Sequence, residues 1–364
     1  MENLVAGMDF RQPEYRAEVF QRFYTFHLKY QSHPGCVYYL MPFLAGAYDW
    51  SVEQRMWFAF INGNTQNPVT SYIIFNKFPD FEKLDMVALA DWFYTPHAYQ
   101  SLAWDTDRRH HKTMFLRSVN SYIANLRMNG HKSQWEFFSD LCTSDPYTNF
   151  RRVWDVVSDR FLTFGRLSTF SYLEYLRIMD LNLDCDQLFL NDRDGSRSHR
   201  NGICKVIGRD DLDWHSSNPD FDGRYSKDTI KELEIAGETL LATARVRNED
   251  TAWEDDVSYF TLESALCTYK SWHRKNRRYP NVYNDLLYKR IKFAEERWRR
   301  PKLDIFWQAR DLLLPDNLLL EKNPLDVGCA PLKQNHYLNT GQVIMMERDW
   351  ECFENEYGRE RITA

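Results

Sequence analysis

Apolar residues recur at steps of three and four along most of this 364-residue chain, the period of helices that bury one face. Tyr15, Val19, Phe23, Phe26 and Tyr30 form the first such stripe, in a helix that begins near Pro13, and His33-Pro34-Gly35 ends it. The same period predicts helices over Val52–Ile61, Val69–Phe78, Phe81–Tyr94, Arg109–Met128, Ser133–Leu141, Tyr147–Val157 and Leu167–Met179, with Asp145 before Pro146 as a start signal. It returns over Asp228–Ala244, Val257–Trp272, Val282–Trp298 and Leu303–Leu314. Between the two runs, Asp180–Arg224 has little helical period and is rich in Asp, Arg, Asn, Gly and Ser, which predicts an irregular functional segment at a cleft. The expectation is a mainly α protein: one interleaved helical domain over residues 1–320, then residues 321–364 as a tail packed on that body. No internal repeat or low-complexity tract interrupts it.

Composition supports a folded helical chain. Hydrophobic residues make up 43% and aromatics 16%, enough apolar area to offset the conformational entropy of ordering. Gly 14 and Pro 13 are both low for this length, which disfavours many short strands and tight hairpins. Residues Met1–Phe10 lack a basic region followed by an apolar run, and no window approaches the ~20 apolar residues of a membrane span. The expected place is therefore the cytoplasm. Seven scattered cysteines without a C-x-x-C pair argue against a disulfide framework or a zinc ribbon. A net charge of −6 does not itself predict a nucleic-acid binder, but the charge is clustered.

The sharpest cluster is Lys270–Lys302, with twelve Lys or Arg against three acids and with Trp272, Tyr279, Tyr283, Tyr288 and Trp298 among them. Cations that neutralise phosphates, interleaved with rings that stack on unpaired bases, suit a DNA-facing surface, and Arg274, Lys275, Arg277 and Arg278 lie in a turn where a helix has no need of them. The alternative is a solvated face balanced by the acidic stretch Glu249–Asp256. A second candidate is Phe164-Gly165-Arg166-Leu167-Ser168-Thr169-Phe170, a glycine turn opening a helix, whose N–H groups could hold a DNA phosphate at Gly165 and Arg166. Many helices start this way and bind nothing. A third is the run from Asp180, Asp184 and Asp186 to Arg197, His199, Arg200 and Lys205. Displacing a phosphate by an amine needs a base and cations on the leaving oxygens, and both types occur there; paired aspartates holding Mg²⁺ or Ca²⁺ are the competing reading, although the EF-hand spacing is absent. Asn62-Gly63-Asn64-Thr65-Gln66-Asn67-Pro68 is an uncharged polar loop between apolar helices; Asn62, Asn64, Gln66 and Asn67 could present amides to a ligand, or the loop could merely cap helices. No P-loop, G-x-G-x-x-G, G-x-S-x-G or H-E-x-x-H motif is present, and adjacent His110 and His111 point about 100° apart on a helix, so no metal and no cofactor is expected.

Met8-Asp9-Phe10-Arg11, the Phe60–Pro68 run and Trp272-His273-Arg274-Lys275-Asn276-Arg277-Arg278-Tyr279-Pro280-Asn281-Val282-Tyr283 resemble the phage amino acid:DNA transferases, also called α-glutamyl/putrescinyl thymine pyrophosphorylases, from about Asp9 to Trp307. The resemblance implies an enzyme that follows a DNA base kinase in an infected bacterial cell. Phosphorylated 5-hydroxymethyluracil in DNA is its substrate, and the amine of a free amino acid, glycine among the candidates, or of a polyamine displaces phosphate or pyrophosphate. It also implies a fold like that of helix-hairpin-helix DNA glycosylases, which flip the target base out. Gly165–Leu176 would then be the hairpin, lacking the usual Pro-Gly-x-Gly turn, and Asp184 or Asp186 the catalytic acid's counterpart. On this basis Asp186, with Asp184 and then His199 as substitutes, takes the amine's proton, while Arg197, Arg200 and Lys205 meet the departing phosphate. A base-flipping glycosylase and a non-enzymatic helical DNA-binding protein are the alternatives; phosphate displacement, unlike either, needs the basic run Arg197–Lys205.

Overall fold

A computed structural model of the chain describes residues 13–128, 130–192, 195–212, 223–272 and 282–314. Arg193, Asp194, the basic run with Arg274, Lys275, Arg277 and Arg278, and the stretch 321–364 lie outside the described residues. Among those described, all regular structure is helical, so the protein is all-α. In chain order the α-helices are α1 (Pro13–Lys29), α2 (Val37–Ala47), α3 (Val52–Thr65), α4 (Pro68–Lys77), α5 (Met86–Phe93), α6 (Pro96–Ser101), α7 (Phe115–Met128), α8 (Gln134–Leu141), α9 (Pro146–Arg160), α10 (Arg166–Ile178), α11 (Arg197–Val206), α12 (Lys227–Arg247), α13 (Tyr259–Trp272), α14 (Val282–Glu295) and α15 (Asp304–Leu313). No helix among the described residues is long and apolar enough to cross a membrane.

The chain divides into two units. One is built from Gly35–Cys185 and Leu286–Leu313. Its starts are chemically marked: Ser51 and Gln54 form a capping box on α3, Asn67 caps α4, Asp85 caps α5, and Asp145 caps α9 ahead of Pro146. The centre of this unit is a nest of rings from α3, α7, the α9–α10 connection and α10. Phe60 stacks on Tyr122 with centroids 3.9 Å apart, and Phe161, Phe164 and Tyr172 pack around Phe60 at 5.8 to 6.4 Å. Gly63 permits that approach: a Cβ there would sit 3.2 Å from both the Phe164 and Tyr172 rings. The helix α2, missing from the sequence prediction, is apolar on nearly every side with Pro42 inside it, so it carries no amphipathic period to detect.

The other unit takes Met1–Pro34, Asp186–Asp285 and Leu314–Ala364. Here α11 lies against α13 so closely that a Cβ on Gly202 would fall 2.4 Å from the Leu266 carbonyl oxygen; only glycine fits. This helix sits inside the stretch expected to be irregular. Residues 181–189 do lack regular structure, but Arg197–Val206 is helical because Ile203, Cys204 and Val206 find a buried face against neighbouring helices, a short stripe masked in sequence by the surrounding charge. The N-terminal helix α1 joins the same core through Gln21, whose Nε2 donates to Leu240 O at 2.9 Å, and Tyr24, whose hydroxyl lies 2.7 Å from Thr261 Oγ1.

His33, at the end of that N-terminal segment, is buried with Nδ1 3.0 Å from Ser264 Oγ and its ring 5.6 Å from that of His27. Burial holds its imidazole down from about 6.5 to about 3. The folded state therefore keeps it neutral while the unfolded chain takes up a proton below about pH 6.5; stability is complete above that value and falls as pH drops toward 3, at about 1.4 kcal/mol per pH unit. Urea denaturation at pH 7, 6 and 5 should show this slope in the parent protein and a slope smaller by about one proton in His33→Gln. Equal slopes would mean that His33 is not held neutral.

Candidate functional site

Two places in the structure gather chemically competent side chains, one in each unit. In the Gly35–Cys185 unit it is the hairpin made by α9, residues 161–165 and α10. Phe161 and Phe164 are buried and pin the connection to the ring nest, while Thr163 between them takes a left-handed backbone at φ 73°. Such a conformation costs a residue with a Cβ on the order of 1–3 kcal/mol unless its surroundings impose it. Arg108 imposes it. Its guanidinium, 2% exposed, donates to Thr163 O at 2.6 Å and Thr163 Oγ1 at 2.9 Å on one side, and to Asn64 O and Asn64 Oδ1, both at 3.2 Å, on the other. It also lies over the Phe164 ring at 5.2 Å. One buried cation thus ties the C-terminal turn of α3 to the hairpin.

Gly165 sits at the N-cap of α10 in extended backbone, with no side-chain cap hydrogen bond. The first N–H groups of α10 therefore open toward the outside, beside Arg166, whose guanidinium lies 5.1 Å over the Phe170 ring. An open groove of about 600 Å³ runs along this connection, lined by residues 158–165 together with His111 and Ser121. Gly165 at the helix start, Arg160 and His111 line one concavity together with Asp159, with Arg166 next in the chain beyond it; a helix start beside these cationic side chains is suited to an anionic backbone.

The polar run Asn62–Asn67 is no separate loop but does cap helices, the second of the two roles read from sequence. Asn62, Asn64 and Thr65 form the last turn of α3, Gln66 is its left-handed C-cap, and Asn67 is the N-cap of α4. All are buried. Ser71 Oγ donates to Asn62 Oδ1 at 2.9 Å and lies 2.6 Å from Thr65 Oγ1, and Asn67 Oδ1 accepts from Thr70 N at 3.2 Å. Gln66 Nε2 donates to Ser171 Oγ on α10 at 3.3 Å, while its Oε1 accepts no hydrogen bond within the described residues. The run is a buried helix junction with one acceptor to spare.

The second gathering is in the Asp186–Asp285 part of the chain. Asp186 is half-buried, two residues before Leu188. His199, in the first turn of α11 and 0% exposed, has Nε2 2.8 Å from Leu188 O and Nδ1 3.0 Å from Glu263 Oε1. Arg200 Nη1 donates to Leu190 O and Asp192 O, both at 2.9 Å, and its guanidinium lies 4.2 Å over Tyr225. Lys205 Nζ pairs with Asp210 at 2.8 Å, and Arg16 reaches the same carboxylate at 2.9 Å. Burial pushes the Asp210 carboxyl up, but the bonds from Lys205 and Arg16 outweigh it and hold it below the usual carboxylate range. So His199, Arg200 and Lys205 brace the 188–192 segment and α11 from inside. Arg197, at the start of α11, is half-buried. Asp184 belongs to the other unit, where its Oδ1 accepts its neighbour Cys185 N at 2.9 Å and lies 3.9 Å from Arg177 Nε. Sequence reasoning missed Arg108 and Glu263: the first reads as one more cation in Arg108-Arg109-His110-His111-Lys112, the second as an ordinary helical acid. No group of three or more His, Cys, Asp or Glu among the described residues is arranged to hold a metal ion.

Residues 38–278 match a family model described as amino acid:DNA transferase. A serinyltransferase of Salmonella phage ViI is 28% identical over 281 residues, which span 75% of this chain and 66% of that protein, just under two thirds of its length. No solved structure matches the chain.

Removing the Arg108 guanidinium would strand the Asn64 and Thr163 oxygens in a buried site, and a charged donor's bonds are worth about 1.5–3 kcal/mol each before compensation. Arg108→Ala should lower stability by about 3 kcal/mol in urea denaturation, with Arg108→Lys intermediate. A loss under ~1 kcal/mol for the alanine variant would show that the hairpin holds its shape without the clamp.

Proposed function

This chain belongs to the amino acid:DNA transferase family, and from that premise we propose that it replaces the phosphate or pyrophosphate of an activated 5-hydroxymethyluracil in phage DNA with the amine of an amino acid or polyamine. Serine is the first donor to consider, from the name of the Salmonella phage relative, with glycine and polyamines as competitors. In this reaction the amine nitrogen attacks the exocyclic methylene carbon, the C–N bond forms as the C–O bond to phosphate breaks, and one amine proton must be removed. A DNA base kinase has to act first, because a hydroxyl is a poor leaving group and a phosphate ester is not.

The observation that carries the reading is family membership for the reaction class, joined to an open groove at a helix start for the DNA. We assign Gly165 and the first N–H groups of α10, with Arg166, to a strand phosphate. The basic turn with Arg274, Lys275, Arg277 and Arg278, known only from sequence, is assigned to the backbone as well. The methylene on C5 faces the major groove of a stacked duplex; we infer that the base nevertheless leaves the stack for attack, as in the helix-hairpin-helix glycosylases that the family resembles. Gln66 is the member of the Asn62–Asn67 run we assign to the incoming amine, since its buried Oε1 has acceptor capacity left, whereas Asn62, Asn64 and Asn67 are committed to the helix junction.

We assign proton removal to Asp186, with Asp184 as the substitute, and leaving-group stabilisation to Arg197. His199 and Arg200 then act by holding the segment that follows Asp186, and Lys205 by its pair with Asp210 at the end of α11. An α-amine is mostly protonated at neutral pH, so a positioned carboxylate is worth about 10²- to 10⁴-fold in rate.

Asp186→Asn is accordingly expected to lower single-turnover amine transfer about 10²- to 10⁴-fold while leaving the Kd for activated DNA unchanged. Phosphate release from that DNA should depend on added amine. Parent rates in both Asp186→Asn and Asp184→Asn would place the base elsewhere, and release of free base without amine would make the protein a glycosylase.

A further inference from the structure

The unit that holds the hairpin carries a second cationic surface, at the end of α14. Backbone N–H groups of Arg297 and Trp298 bond back to Ala294 O at 3.0 and 2.8 Å, closing the helix and throwing residues 297–302 outward. Two of the acids nearby are engaged: Glu295 takes Lys292 at 3.4 Å and the Trp307 indole at 2.5 Å, and Glu296 takes Arg297 at 3.0 Å; Asp304, exposed in the first turn of α15, is the third and leaves the group of cations in excess. Arg299, Arg300 and Lys302 are exposed and make no ion pair among the described residues. Three like charges within four positions repel one another, a cost that a counter-ion or an anionic ligand removes.

What separates this turn from a merely solvated face is the company of aromatic rings. Trp298 is half-buried, with its indole Nε1 donating to Ser101 O at 3.4 Å. Its ring lies 4.7 Å from His97, which is exposed, and 6.0 Å from Trp92, which is half-buried. The Arg297 guanidinium carbon lies 3.7 Å from the centre of the Phe293 ring. A face whose only task was solubility would have no use for a tryptophan and a histidine at the waterline. Fixed cations beside fixed planar rings suit a sugar-phosphate strand with unpaired bases, because each base offers a π-face whatever its sequence.

We propose that Arg299, Arg300 and Lys302, together with the Trp298–His97–Trp92 cluster, form a second nucleic-acid contact that grips unpaired DNA: phosphates on the cations and a base against the rings. This rests on the reading that DNA is the substrate, and it adds a surface on which a strand opened around the target base is kept from closing. It is independent of Arg166 and the groove, since none of its residues lines that groove.

The test is fluorescence anisotropy with the full chain, single-stranded and duplex oligonucleotides, and a salt series. Each single-strand phosphate contact contributes about 0.7 to the slope of log K against log[salt], so the triple variant R299A/R300A/K302A should lower that slope by about 2. Trp298→Ala should weaken single-strand binding roughly 5- to 100-fold, with the salt slope unchanged, and Trp298→Phe should restore most of it. Duplex affinity should move little in Trp298→Ala. All of the substituted cations are exposed, and thermal melts matching the parent's would confirm that the variants are folded. If the parent protein binds DNA and transfers amine but the triple variant keeps its slope, this inference is wrong and the proposed function stands. If Trp298→Ala weakens single strand and duplex alike, the rings do not stack on bases and the inference is equally wrong. A parent protein that binds neither form of DNA would remove both.

Discussion

Arg108 is the one side chain on which the geometry of the hairpin unit depends. A guanidinium almost shut off from water is costly unless its donors are satisfied, and here the partners are carbonyl, amide and hydroxyl oxygens placed by two helix ends. Because those oxygens belong to Asn64 and Thr163, satisfying the cation also fixes the end of α3, the left-handed backbone at Thr163 and hence the outward aim of α10's first turn. The aromatic nest beneath, with Gly63 letting Phe164 and Tyr172 approach, makes the connection rigid rather than adaptable. For the backbone contact proposed at Gly165 and Arg166 that rigidity is an advantage, since donors already aimed need no reorganisation on binding.

The other unit uses its charges differently. His199, Arg200 and Lys205 stand in a row of α11 that sequence alone presents as a cationic surface, yet each has its polar atoms turned to carbonyls or carboxylates of the same unit. Glycine at position 202 explains why: it brings α11 onto α13, and the charged residues in the same turns are carried inward with it. The cost of burying them is offset by Glu263, Asp210 and the ring of Tyr225. What this produces is a stiff support for residues 188–192, next to the half-buried Asp186 to which proton removal is assigned above as a proposal.

Much of the helical architecture was legible in the chain. The stripe from Tyr15 to Tyr30 became α1, and the Asp145-Pro146 signal became the cap of α9, because both follow from local chemistry that tertiary packing does not override. Where packing decides, the signal failed. The apolar α2 has no polar face to set a period, Asn62–Thr65 looks like a loop because its amide oxygens are satisfied from outside the helix by Ser71 and Arg108, and α11 is hidden by charges whose partners, Glu263 for His199 and Asp210 for Lys205, lie outside the helix. The family-bearing features were readable, whereas which cation is buried and which is exposed was not: Arg108 and Arg109 are neighbours in a basic run, and only the fold makes one a clamp and leaves the other at the surface.

The proposed reaction makes a new bond between an amine nitrogen and the methylene carbon of a base in DNA. Supplying DNA that carries phosphorylated 5-hydroxymethyluracil together with serine labelled with ¹⁵N at its α-amine, then digesting to nucleosides for mass spectrometry, reads that bond directly. The account predicts a nucleoside heavier by the amino acid, retaining the ¹⁵N, formed in step with released phosphate or pyrophosphate. An unmodified nucleoside across the amine donors, or an abasic product in place of the labelled one, would contradict it.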